Sequence, residues 1–346
     1  MKEIILSGVA TLALFMAAPV QATNSPIELK TVLKDLMAHL PGEYDNEPQR
    51  FFEEEYKTPK DMQHQRVYRA FTRIDAPEAG ENVIVATVHS GSKDAAFDRT
   101  EFQVWTLSVD EARKAVRMSP RKFKDPAKYM PIATDAARLK GLPASELVPA
   151  NGAAGCDIFW RLNGQQMLGR TDPGTCHATL ERLKVDATFN WEWLLNEEEL
   201  WITFDGRDAS GQLVMGRPDQ THWRLGKART FECFLSYRPQ QGAPQVNNGF
   251  LMHDRGGIYR TALKKGNVDQ PVFIELIRGM WPSNSGRNYL DLLRMQVYEG
   301  RPEDAPATWK LIGNATGSAE TDRAGFTSQD LSGRCKLIDR NAPPGR

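Results

Sequence analysis

The residues best suited to chemistry sit in "QRVYRAFTR", where strand alternation puts Arg66, Tyr68 and Ala70 on one face and Val67, Arg69 and Phe71 on the other. An inward-facing Arg66 beside Tyr68 would suit a ligand carboxylate, because arginine offers a planar, bidentate fork. A solvent-facing arginine is the commoner reading of the same residue. Trp105, Trp160, Trp191, Trp193 and Trp201 all fall in strand-like runs. Trp191 and Trp193, two apart, share a face, and such rings either fill a barrel or line a cavity for a flat apolar ligand. Upstream, "LPGEYDNEPQ" punctuates the chain with Gly42, Tyr44, Asn46 and Gln49 just where alternation begins. These residues suggest the entrance of a barrel.

No catalytic group is identified. The chain has no G-x-S-x-G, P-loop, H-E-x-x-H or G-x-G-x-x-G in strand-to-helix context. Six histidines (His39, His64, His89, His177, His222 and His253) are dispersed, as packing or surface residues usually are. Asp205 and Asp208 sit in a Gly-rich turn whose chemistry explains them. No metal-ligand spacing occurs, so neither zinc nor another metal is expected. Lys+Arg and Asp+Glu are both 44, and this balance leaves no electrostatic footprint for nucleic acid.

The elements that must position these residues change period along the chain. Residues 1–22 read as a secretory signal peptide, with Lys2, a short apolar core and the small-residue end Val20-Gln21-Ala22. The expected location is periplasmic or secreted, with no membrane span after cleavage. "SPIELKTVLKDLMAHL" then predicts a helix with Leu29, Val32, Leu33, Leu36, Met37 and Leu40 on one face. Ser25 and Glu28 form its capping-box pattern, and Pro41-Gly42 end it. After it the period falls to 2, and ten short β-branched or aromatic runs follow, divided by Gly, Asp, Asn or Pro. That spacing predicts a mainly β protein with an antiparallel barrel or sandwich. Residues 122–154 interrupt the pattern as a long loop with short helices, a candidate lid. "RPQQGAPQVNNG" (238–249) is the predicted boundary, dividing a barrel domain over 23–238 from a C-terminal β extension over 239–346.

In an exported chain four cysteines read as disulfides, and four allow three pairings. Cys156 and Cys176 lie in neighbouring strand-like segments, which favours joining them. Cys233 and Cys335 are left to tie the extension back.

Taken together, these pieces resemble the CpcT/CpeT-type chromophore lyases of phycobiliproteins. The matching stretches are "GEYDNEPQ", "HQRVYR", "GC" at 155–156, "LGRTDPGTC" and "LWITFDGRDASGQLVMG", over roughly residues 30 to 238. The resemblance implies a lipocalin-like antiparallel barrel that holds an open-chain tetrapyrrole and delivers it to a cysteine of an acceptor protein. The bilin would be substrate or ligand, and no cofactor is implied. Cys156 and Cys176 then correspond to the family's paired cysteines, and Tyr44, Asn46, Gln49, Gln65, Arg66 and Tyr68 to its cavity-side motif, with Trp105 in a neighbouring run. The chain departs from the family in "RTEFQVW", in its leader and in everything after residue 238. A non-catalytic periplasmic lipocalin-like binding or envelope protein, for an apolar carboxylated ligand, is the alternative function.

Overall fold

The computed structural model describes residues 26–91, 99–150, 155–180, 183–240, 242–283 and 285–338, and the leader expected over 1–22 lies outside them. Helix α1 (Pro26–His39) forms where the 3.6-residue spacing places it and buries Leu29, Val32, Leu36 and Met37, with Leu40 just after it. The first strand, β1 (Gly42–Asp45), is shorter than the entry segment 42–49. At its end the Asp45 carboxylate accepts the Glu47 N–H at 2.9 Å, and Pro48 fits the first turn of helix α2 (Glu47–Glu55). No helix among the described residues is long and apolar enough to cross a membrane.

Twelve strands follow: β2 (Arg66–Ile74), β3 (Val83–Gly91), β4 (Arg99–Asp110), β5 (Ala115–Phe123), β6 (Leu147–Pro149), β7 (Ile158–Asn163), β8 (Gln166–Arg170), β9 (Cys176–Leu180), β10 (Val185–Leu195), β11 (Glu199–Arg207), β12 (Leu213–Gly216) and β13 (Trp223–Ala228). Ten of the strands close into an antiparallel barrel in the order β1-β2-β3-β4-β5-β7-β8-β10-β11-β13, with β13 returning to β1. β6, β9 and β12 add to its outside. Closure shows in the register, since Glu43 faces Ala70 of β2 on one side and Ala228 of β13 on the other. The expected mainly β, lipocalin-like barrel preceded by a helix is the fold observed.

Residues 124–150 of the expected 122–154 loop cover the outer wall, and 151–154 lie outside the described residues. Tyr129, Leu139 and Leu142 pack on Val83, Val85, Val104 and Phe123. β3 therefore has apolar neighbours on both faces, which is why "VIVA" carries no polar residue.

The C-terminal unit starts earlier than residue 238. β14 (Thr230–Tyr237) pairs with β15 (Gln245–His253) and with the last strand, and not with the barrel. The division falls at Arg229, and β15 runs through the stretch expected to be a linker. Six strands follow: β16 (Arg255–Lys265), β17 (Val268–Pro282), β18 (Tyr289–Glu299), β19 (Lys310–Ser318), β20 (Arg323–Thr327) and β21 (Leu331–Leu337). With β14 and β15 they form two four-stranded sheets, β15-β14-β21-β20 and β16-β17-β18-β19, around a core of their own that includes Phe231, Leu235, Ile274, Leu276 and Met295.

Both disulfides are formed, Cys156–Cys176 and Cys233–Cys335. Cys233 and Cys335 are directly opposed on β14 and β21. The second bridge thus staples the first strand of the C-terminal unit to its last, and does not tie that unit to the barrel.

Candidate functional site

The alternation of β2 is as expected, but the face turned inward is the other one. Val67 and Phe71 belong to the barrel core with Tyr44, Trp105 and Trp193, and the Arg69 guanidinium lies 5.3 Å from the Trp193 ring centre. The inward cation is Arg69. Arg66 points out of the barrel to the C-terminal unit, where it is buried. Its Nη2 donates to Asp45 Oδ2 at 2.8 Å and to the Gly256 carbonyl at 2.8 Å, and its Nε to Asp45 Oδ1 at 3.3 Å. Burial alone would lower its pKa, but Asp45 and Glu47 more than offset this and hold it above the usual range. Tyr68 shares that outer face, between His89 and His253, with ring centres 5.6 and 5.5 Å away.

The remaining residues of the expected site divide by role. Tyr44 is fully buried in the lumen, donates its O–H to the His39 carbonyl at 2.7 Å and meets Phe71 edge-on. Asn46, also buried, donates Nδ2 to the Gln65 carbonyl at 3.0 Å and accepts the Val67 N–H at 2.7 Å, pinning β1 to β2. The Gln65 side chain itself is exposed. Gln49 bolts α2 to the barrel, donating to the His222 carbonyl and accepting the Arg224 N–H. Only Tyr44 and Trp105 of the seven reach the lumen. Arg69 could have been found from Val67 and Phe71, the larger apolar pair, on its own face.

Around Arg69 the lumen is aromatic. Trp193 takes Trp105 and Trp160 edge-to-face at 6.1 and 6.0 Å. Beyond them Trp191 stacks on Phe204 at 4.4 Å, and Phe204 on Trp223 at 5.4 Å with planes 9° apart. Val67, Arg69, Trp191, Phe204 and Trp223 face inward and yet are only partly buried. Trp191 and Phe204 also line a pocket of about 350 Å³ together with Thr171, Asn190 and Asp205. From the opposite side Val32 and Leu36 of α1, with Leu40 just after it, join the same core, and a closed barrel admits a helix to its interior only at an end.

Five donors in this interior are buried without an acceptor among the described residues: Nε of Arg69 and the indole Nε1 of Trp105, Trp160, Trp193 and Trp223. A buried donor left without a partner costs about 1–3 kcal/mol. No carboxylate among the described residues lies within ion-pair distance of Arg69. Burial lowers its pKa to about 10, opposed by the Glu101 charge, so it remains cationic at neutral pH. The lumen therefore offers a cation, stacking faces and unused N–H groups to a flat molecule carrying acceptors. All four cysteines are oxidised, so none of them offers a thiol.

Burial also lowers the pKa of His253 and of His89, the two rings flanking Tyr68. Each is therefore harder to protonate in the fold than in the open chain. The unfolded state binds more protons once pH falls below about 6.5, so stability is full above neutrality and declines toward pH 5. Melting temperatures recorded from pH 8 to 5 should show this slope, reduced in His253→Gln/His89→Gln. An unchanged slope in that variant would assign the effect to other groups.

No protein-family model matches the sequence, and a search of curated proteins finds no relative. Among solved structures the chain is similar to one described as the SeMet CRL protein of Arabidopsis. The two are 13% identical with a TM-score of 0.41, over 58% of this chain and 98% of that one.

Proposed function

We propose that the barrel binds an extended, flat, apolar molecule through a carboxylate, with Arg69 as its counter-ion. The observation that carries this reading is the Arg69 guanidinium inside the barrel, over Trp193, with its Nε buried and unpaired and no ion pair among the described residues. An open-chain tetrapyrrole has the required shape, propionate groups and carbonyl acceptors, and it is the ligand implied by the resemblance in "GEYDNEPQ" and "HQRVYR". Two disulfides suit a chain that works in an oxidising compartment. Binding by an exported, non-catalytic barrel is the reading best supported. Attachment of the bilin to a cysteine of an acceptor protein is the second reading, carried by the resemblance. It would ask the barrel mainly to orient the tetrapyrrole for attack by the acceptor's thiolate, a positioning role that needs no catalytic triad.

Titration of the mature chain with biliverdin and phycocyanobilin should quench Trp fluorescence saturably. A charge-assisted hydrogen bond contributes about 1.5–3 kcal/mol, so Arg69→Met should weaken binding about ten- to a hundredfold. The same substitution removes a buried cation that makes no ion pair among the described residues and should raise the melting temperature of the free protein. Lack of saturable binding below about 100 μM, an affinity of roughly 5 kcal/mol, would sink the tetrapyrrole reading. A covalent adduct on a cysteine-bearing phycobiliprotein acceptor, seen only when this chain is present, would select the lyase reading.

A further inference from the structure

A cleft of about 920 Å³ runs between the barrel and the C-terminal unit. That volume lies within the range of small-molecule sites. One wall is aromatic. Phe52 of α2 stacks on Tyr56 at 6.2 Å, and the Tyr56 hydroxyl meets that of Tyr289, on β18, at 2.7 Å. Met280 adds an apolar surface beside them.

Arg255 lies along the barrel side of the cleft. Its guanidinium rests flat on Gly226, where a Cβ atom would stand 2.6 Å from Cζ. Nε donates to the Lys227 carbonyl at 3.2 Å and Nη1 to the Arg278 carbonyl at 3.3 Å. Nη2 has no partner among the described residues. Neighbouring Arg278 differs, being paired with Asp254 at 3.1 Å and Glu198 at 3.3 Å. No carboxylate among the described residues lies within 4.0 Å of Arg255. Burial, and then the charge of Arg278, lowers its pKa, against the opposing charges of Asp254, Glu198 and Glu199.

The cleft is also lined by five carboxylates, Glu53, Glu198, Glu199 and the exposed Asp291 and Glu320. They repel a polyanion such as a nucleotide but leave room for a single negative charge held deep in the cleft. We propose that this cleft is a second ligand site, for a small aromatic monocarboxylate whose carboxylate is taken by Nη2 of Arg255. The site does not depend on what the barrel lumen binds.

Calorimetric titration of the full mature chain with naphthoate, naphthamide and ATP tests the proposal. Naphthoate should bind at least about tenfold more tightly than the neutral amide, the scale of one charge-assisted hydrogen bond. Arg255→Met should erase that preference, and Tyr289→Ala should weaken both ligands severalfold. ATP should not compete. Arg69→Met should leave naphthoate binding unchanged, which separates this site from the lumen. If Arg255→Met fails to fold, Gly226→Val displaces the guanidinium without removing its charge and should also lose the acid-over-amide preference. Equal affinity for acid and amide, absence of binding, competition by ATP, or loss of binding in Arg69→Met would each overturn the proposal.

Discussion

Arg66→Ala is expected to lower the unfolding free energy by about 3–5 kcal/mol, the scale for removing one partner of a buried ion pair. The variant leaves Asp45, which has no solvent exposure, facing the C-terminal unit without its main counter-charge. It also strands the Gly256 carbonyl that Arg66 bridges across the joint. Asp45→Ala alone should be comparably harmful, whereas the Arg66→Ala/Asp45→Ala double variant should cost less than the sum of the two. Chemical denaturation of the four proteins measures the coupling. A loss below about 1 kcal/mol in Arg66→Ala, the range of an exposed pair, would show that the joint does not depend on this contact.

Removing the bridge between the first and last strands of the C-terminal unit should be at least as costly. Cys233 and Cys335 are 102 residues apart, against 20 for Cys156 and Cys176. On the chain-entropy account a crosslink over about 100 residues stabilises by about 5 kcal/mol, and one over about 20 residues by about 3. Cys233→Ser/Cys335→Ser should therefore melt below Cys156→Ser/Cys176→Ser. Because both partners of the longer bridge lie in the core of the C-terminal unit, the loss should show first in that unit. The reverse order of melting temperatures would mean that strain or residual unfolded structure outweighs loop entropy.

Local rules made much of this legible. The repeating Leu and Val spacing is enough to form α1, and period-2 runs between turn residues are enough for most barrel strands, because both signals lie within a few residues. β15 was hidden because its outer face is wet, so that "QVNNG" carries the polar residues of a linker. α2 was hidden behind β1, since only the Asp45 side chain and Pro48 mark where extension stops. The site was read one residue out of phase. Alternation divides β2 into two faces, each with an arginine, and what decides between them is distant in the sequence. Gly256, against which Arg66 is buried, lies 190 residues further along. A pairing of that separation leaves no periodic trace in the sequence, whereas Val67 and Phe71 did mark the inner face.

The barrel closes through β1, which is its shortest strand at four residues and has α1 before it and α2 after it. Its ladder to β13 joins residue 43 to residue 228, so the ring cannot shut until nearly all of its wall has been synthesised. The β2–β3, β3–β4 and β4–β5 hairpins are local and can zip early, but the final seam must bear the entropy of a very long loop. Until it shuts, β1 and β13 each present a bare edge able to pair with another chain. The kinetic hazard of this molecule is therefore concentrated at one four-residue seam, and a chain cut short before β13 would leave β1 and β11 uncovered.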